Sequence, residues 1–281
     1  MSEKTPDSGR KLFFGLFVFP LLIAVGMAVL LCAVVLLTNE NETPDTLIAA
    51  IKTGAPSKRW EKAFELSNEL NRKKSGARSE SVMKEVISIL RETKNYDEKT
   101  RGYMALTLSH FKDASAREAL RNALKDPSED VRLYALWGLG ANGDETAVPD
   151  VTELLSAERE DIRKTAAYVL GVIGNKESVP GVKKLLQDPI SDVRWNAALA
   201  LARLGDDSGY EELMKMLQRN DLETQYQMPD DQIEKVMINA VKGLALIRKP
   251  ESIKILEALS REDKSLRVRQ AAIEAMEYHR K

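Results

Sequence analysis

The chain has 281 residues, 43% of them hydrophobic, so it can bury an extended apolar core. Its 42 basic and 43 acidic side chains leave no general positive field, which excludes broad nucleic-acid binding. The single cysteine, Cys32, excludes a disulfide framework and a cysteine-based metal site, and the two histidines, His110 and His279, stand far apart in sequence.

Residues 1–11 form a polar tail carrying Lys4, Arg10 and Lys11. From Leu12 to Leu37 there is no charge: 26 residues, against the roughly 20 that cross a bilayer as a helix. Eighteen of them are Leu, Ile, Phe or Val, worth about −5 to −11 kcal/mol of insertion free energy. Pro20 opposes this only locally. A transmembrane helix is therefore expected over residues 12–38. The alternative is a cleaved signal sequence, whose apolar core of about 7–15 residues is far shorter than this run. A lipoprotein site at Cys32 fits poorly, because Leu31 stands where a small residue is needed and the apolar run continues to Leu37.

Lys4, Arg10 and Lys11 precede the span, while Glu40, Glu42 and Asp45 follow it before the first base, Lys52. That bias favours the N-terminus inside, although Lys58 and Arg59 weigh the other way. The expectation is a single-pass protein of the cell membrane. Its bulk would lie on the non-cytoplasmic side, in the periplasm if the cell is a Gram-negative bacterium.

Residues 39–45 read as a linker and 46–281 as one repeat domain. Thr46 to Lys52 and Ser57 to Asn71 suggest a degenerate first hairpin, with Ala49, Ile51, Trp60, Ala63, Phe64 and Leu66 as its apolar set. Arg72 to Ser79 is a basic turn, and Ser81 to Glu92 with Asp97 to Phe111 make a second hairpin. A strict period follows. Asp130-Val131-Arg132 returns as Asp161-Ile162-Arg163 and Asp192-Val193-Arg194, 31 residues apart each time, with Thr100-Arg101 in register before them. A constant period of this length marks a stacked repeat.

Four residues beyond each first apolar position come Ala135, Ala166 and Ala197, and eight beyond come Leu139, Leu170 and Leu201. Those offsets share one face of an α-helix. Asp126-Pro127 and Asp188-Pro189 are expected as N-cap and first turn. Gly140, Gly143, Gly174 and Gly205 are expected as helix stops of positive φ. A second apolar pattern (Val148, Val151, Leu154, Leu155, then Val179, Val182, Leu185, Leu186) predicts a partner helix antiparallel to the first. One such hairpin cannot bury its apolar face alone and must stack on neighbours.

The period breaks at Gln218 and resumes with Val236, Ala240 and Leu244, 43 residues after Val193. An inserted polar loop is expected near 220–231, with Tyr226, Met228 and Pro229, either as a plain surface loop or as part of a binding face. The last helix is expected from near Lys264, through Val268, Ala272 and Met276, to a polar end at Tyr278 to Lys281.

The run D-P-x-x-x-V-R-x-x-A-x-x-x-L-G from Asp126 to Gly140 resembles the HEAT repeat, and the short period is most similar to the HEAT-like repeats of phycobilisome lyases. The resemblance spans about residues 45–281 and implies an all-α fold: an α-solenoid of about seven helical hairpins, here preceded by the one transmembrane helix. It implies a structural ladder between neighbouring repeats, carried over to Asp126 with Arg132, Asp188 with Arg194, and Asp263 with Arg269, each pair six apart. The unit of Arg163 departs, with Ala157 at the acidic position and Glu158 as the substitute. It also implies that the second helix of each pair lines a concave face.

On those second helices offsets 0, 4, 5 and 8 are core, and offsets 2, 3 and 6 point the other way. A merely solvated groove would be polar there. Instead the positions hold Tyr103, Leu106, Leu133, Tyr134, Trp137, Tyr168, Trp195 and Leu199, the candidate binding patch. The alternative is that offset 3, and part of offset 6, packs on the first helix of the same hairpin. No catalytic residue, metal site or cofactor is expected. Glu158, Glu160, Asp161, Asp206 and Asp207 sit at helix starts, where negative charge is favourable anyway.

Three functions are open on these grounds. The favoured one is a membrane-anchored, non-enzymatic scaffold or adaptor that binds a protein partner on its concave face. The lyase resemblance implies a second, a bilin-lyase-like or chaperone-type protein acting on a chromophore or a modified protein. The third is a ligand-sensing or cell-wall-sensing domain, which needs a deep pocket.

Overall fold

Helix follows helix from Phe14 to Arg280, and no strand occurs among the residues that the computed structural model describes, 14–38, 43–72 and 79–280. They divide between Thr43 and Pro44 into an N-terminal unit and a repeat unit. The expected polar tail, Leu12 and Phe13, linker residues 39–42 and residues 73–78 of the basic turn lie outside the described residues.

In the N-terminal unit a π-helical turn, Phe14–Val18, leads into α1, Phe19–Thr38. Pro20 has no N–H to return to the Leu16 carbonyl, so the winding changes just ahead of it. The stretch Leu16–Ala33 has a mean hydropathy of 2.8 and is long and apolar enough to cross a membrane; a signal sequence would satisfy the same criterion.

The repeat unit contains seven hairpins among the described residues. They are α2 (Pro44–Thr53) with α3 (Arg59–Arg72), α4 (Glu80–Arg91) with α5 (Glu98–Leu108), and α6 (Ala114–Ala123) with α7 (Glu129–Asn142). Next come α8 (Val148–Glu153) with α9 (Glu160–Ile173) and α10 (Val179–Lys184) with α11 (Ser191–Arg203). The sixth pairs α12 (Tyr210–Lys215) with α14 (Asp230–Ile247), the short α13 (Arg219–Thr224) lying between them, and the seventh pairs α15 (Ser252–Glu262) with α16 (Leu266–Arg280). Helix α2 starts at Pro44, so the last two residues of the expected linker are helical; proline suits a first helical position because its missing N–H is not needed there.

The local chemistry repeats with the fold. Asp113, Asp144, Asn175 and Asp206 each accept a hydrogen bond from the backbone N–H two residues on, starting the first helix of four successive hairpins. Asp126 and Asp188 make the same short turn, to Ser128 and Ile190; they are not the N-caps expected of them but stand two residues ahead of the observed ones, Ser128 and Ile190, and Pro127 and Pro189 precede the helices rather than opening them. Gly143, Gly174 and Gly205 take φ of 62°, 81° and 77°, as expected of helix stops.

Gly140 is a correction. It lies buried inside α7, where an added Cβ would come within 3.0 Å of Val169 on α9. Gly171 does the same on α9, where a Cβ would come 2.7 Å from the Cα of Ala200 on α11. Close approach, not chain reversal, explains these two glycines. Because the obstacle at Gly171 is backbone, Gly171→Ala is expected to destabilise the repeat unit by about 1–3 kcal/mol in chemical denaturation, against well under 1 kcal/mol for an exposed helical site.

The second helices form a continuous row, α3 on α5, α7, α9, α11, α14 and α16 in turn. Their apolar positions fill the core: Val131, Ala135, Leu139, Ile162, Ala166, Leu170, Val193, Ala197 and Leu201 are fully buried. That core falls into two clusters. The first runs from Leu47 to Leu204, and the second takes Trp195, Ala198 and Ala202 together with the helices that follow. Helix α11 therefore gives one side to each cluster.

Candidate protein-binding face

Three helix-opening arginines, Arg132, Arg163 and Arg194, do two jobs. Each guanidinium reaches back six residues to a backbone carbonyl: Arg132 to Asp126 at 2.9 Å, Arg163 to Ala157 at 2.8 Å and Arg194 to Asp188 at 2.8 Å. The charged partner lies elsewhere, 25 residues on at the next repeat boundary. Arg101 pairs with Asp126, and Arg163 grips Asp188 at 2.7 and 3.0 Å. The six-apart ladder thus needs correcting: Asp126 and Asp188 offer Arg132 and Arg194 a backbone carbonyl, and give their carboxylates to the preceding repeat.

Where the register lacks an acid, the arginine turns aside. Position 157 is alanine, so Arg132 takes Glu129 of its own helix at 2.8 Å. Position 219 is itself an arginine, so Arg194 takes Glu212 at 2.9 Å, while Arg219 holds Asp263 at 2.7 and 3.1 Å. Glu158 supplies Arg163 with its backbone carbonyl rather than its carboxylate. Burial pushes the Asp188 carboxyl up, but hydrogen bonds from Arg163 and the Ile190 amide outweigh it and hold the group below the ordinary aspartate range. The pairs of Arg101 with Asp126, Arg163 with Asp188 and Arg194 with Glu212 tie neighbouring repeats together. Among the described residues no group of acids, histidines and cysteine could hold a metal.

The outward positions of the second helices carry the aromatic side chains. Tyr103 packs between Phe64 at 5.4 Å and Tyr134 at 5.5 Å, ring centre to ring centre. Burial, and then the Tyr103 hydroxyl beside it, raise the Tyr134 phenol above its ordinary value. One turn along, Trp137 lies 5.3 Å from Tyr168, and the Arg203 guanidinium sits 5.1 Å over the Tyr168 ring. Phe64 is 45% and Trp137 42% exposed, with Tyr103, Leu106, Leu133, Tyr134 and Tyr168 half-buried beside them.

Trp195 and Leu199 do not belong to this open patch. Trp195 is 5% exposed, because the insertion lays Tyr226 against it with ring centres 5.3 Å apart. Leu199 packs with the second core cluster, its Cδ2 3.2 Å from where a Cβ on Gly243 would stand. The stretch expected as a polar loop is therefore helix α13 and a turn whose Tyr226 and Met228 pack inward. Conversely, Val172 and Arg203 join the face without having been singled out, and Phe64, expected only in the apolar set of the first hairpin, lies on it. Val172 and Arg203 occupy offset 10, which lies between offsets 3 and 6 on a helical wheel, so periodicity held the signal. Phe64 sits in a hairpin outside the 31-residue register. The surface hollows at Arg117, Arg121 and Asp144, and at His110 to Asp113, contain none of the patch residues.

The comparisons agree with this architecture. The profile described as HEAT repeats matches residues 83–168 and 148–228, more than half of the chain. The chain belongs to the HEAT-repeat family. Among solved structures, the CpcE–CpcF complex of phycocyanin lyase from Nostoc sp. PCC7120 superposes with a TM-score of 0.59 at 22% identity, covering 87% of this chain and 90% of that one. YibA of E. coli superposes with a TM-score of 0.54 at 15% identity, covering 84% of this chain and 93% of that one. At such identities the likeness is one of fold. A search of curated proteins finds no match. In HEAT terms the aromatic side chains line the second-helix face of the second to fourth repeats, Phe64 reaching in from the first.

Proposed function

We propose that this HEAT-repeat protein is a membrane-anchored scaffold that holds a segment of a partner protein on its second-helix face. Trp137 carries the reading: a tryptophan 42% exposed, braced by the tilted ring of Tyr168, on a row where solvated positions would be polar. Exposed aromatic groups next to arginine are the usual anchors of protein interfaces. The apolar stretch Leu16–Ala33 serves as the anchor, with the repeat unit on the non-cytoplasmic side. The work is binding and not catalysis, since the ladder absorbs the acids and arginines at the repeat boundaries.

Crosslinking in native membranes followed by capture of the chain tests this. Trp137→Ala with Tyr168→Ala is expected to weaken retention of the captured partner by about 30-fold or more, since one anchor is worth about 2 kcal/mol. Unchanged retention by a double variant of normal helicity rejects the face. Protease digestion of intact against opened cells checks the side of the membrane.

A further inference from the structure

Interior second helices meet the next repeat through three recurring positions. Five residues past the first apolar position come Ala105, Leu136, Ala167, Ala198 and Val241, all fully buried. Nine past it come Gly140 and Gly171, where a Cβ would strike the following helix, and then Ala202 and Ala245. One past it comes arginine in α5, α7, α9 and α11, with Met237 in α14, and Arg101, Arg163 and Arg194 each find a carboxylate beyond their own hairpin.

Helix α16 carries the same positions with no described hairpin after it. Position five is Ile273, 39% exposed. Position nine is Glu277, exposed, where interior repeats use glycine or alanine. Position one is Arg269, whose Nε is shut off from water with no hydrogen-bond partner among the described residues. Leu266, 72% exposed, lies on the same stripe, seven residues before Ile273. The last repeat thus keeps the equipment for stacking rather than a fully polar cap.

The stripe is complementary to itself. Arg269 stands four residues before Ile273 and Glu277 four after it. In two antiparallel copies of α16 crossing at Ile273, each Arg269 faces Glu277 of the second copy. We infer that the C-terminal repeat binds a second copy of this chain, α16 against α16 about a two-fold axis, with Ile273 at the centre between reciprocal Arg269–Glu277 ion pairs. The twofold arrangement gives Arg269 the kind of partner its counterparts have and covers the exposed isoleucine. It does not depend on the proposed aromatic face.

The test uses the full-length chain in detergent micelles. Ile273→Cys in a Cys32→Ser background, oxidised with copper–phenanthroline, is expected to give a dimer band on a non-reducing gel, and Lys242→Cys on the second-helix face is not. Light scattering corrected for detergent is expected to show two chains per particle for the wild type. Glu277→Arg, which sets arginine against arginine, is expected to raise the dimer Kd at least about tenfold. Arg269→Glu added to Glu277→Arg restores the pair with its charges exchanged and is expected to restore the dimer. A wild type that is single at every concentration, a dimer indifferent to Glu277→Arg, equal crosslinking at both positions, or a folded double variant that stays single overturns the inference.

Discussion

Arg163→Ala is expected to lower the unfolding free energy of the repeat unit by about 3–5 kcal/mol, the effect of stripping the partner from a buried charge. Arg163 and Asp188 are 13% and 6% exposed, and the lost guanidinium also abandons the carbonyls of Ala157 and Glu158. Removing both charges, as Arg163→Met with Asp188→Asn, is expected to recover most of the loss, because the Asp188 carboxylate is then no longer stranded. The pH dependence supplies an independent check. In the wild type the Asp188 carboxyl is held low, so its contribution is complete above the unfolded value near pH 4 and is lost as pH falls through the folded value. In Arg163→Ala burial is opposed only by the Ile190 amide and the Arg194 charge, so the carboxyl moves up from its wild-type position and the variant loses less than the wild type in acid. The gap between wild type and variant, measured by urea denaturation, should therefore narrow on going from pH 7 towards pH 4. A gap that widens in acid contradicts this account of the pair.

Trp195→Ala is expected to destabilise the chain by about 3–5 kcal/mol, as for any large buried aromatic side chain exchanged for alanine. It is 5% exposed and lies against Tyr226, so its loss opens a cavity under the insertion. Trp137→Ala, at 42% exposure, gives up little beyond its contact with Tyr168, about 0.5–1.5 kcal/mol. The two tryptophans should thus exchange roles between assays: Trp195 in thermal or urea unfolding, Trp137 in partner retention. Equal stability losses for the two would remove the distinction between core and face.

That distinction marks the limit of what periodicity can reveal. The second helices were legible because Val131, Ile162 and Val193 recur at 31 residues with alanine and leucine at fixed offsets, and the offsets alone assign the buried face. The open patch from Tyr103 to Tyr168 followed from the same arithmetic. Trp195 did not, since its covering group, Tyr226, lies in the segment where the period lapses, and no helical wheel represents an element packed over it. The ladder failed for a different reason. The repeat offers each arginine two constant separations, six before and 25 after; Arg132, Arg163 and Arg194 each meet an aspartate at only one of them, and spacing does not say which separation brings a carboxylate within reach. The reach of a guanidinium across a helix boundary decides it. Gly140 and Gly143 show the same ambiguity on a smaller scale: both stand near a helix end, yet one answers to a neighbouring helix and the other to its own backbone.

Helix α11, whose two sides feed separate apolar clusters, has a mechanical consequence. Stacked repeats hold together only through neighbours, so cooperativity passes along the rod no better than its weakest joint allows. With the oily filling divided at that one helix, the last two hairpins are expected to loosen as a block while the first four keep their order.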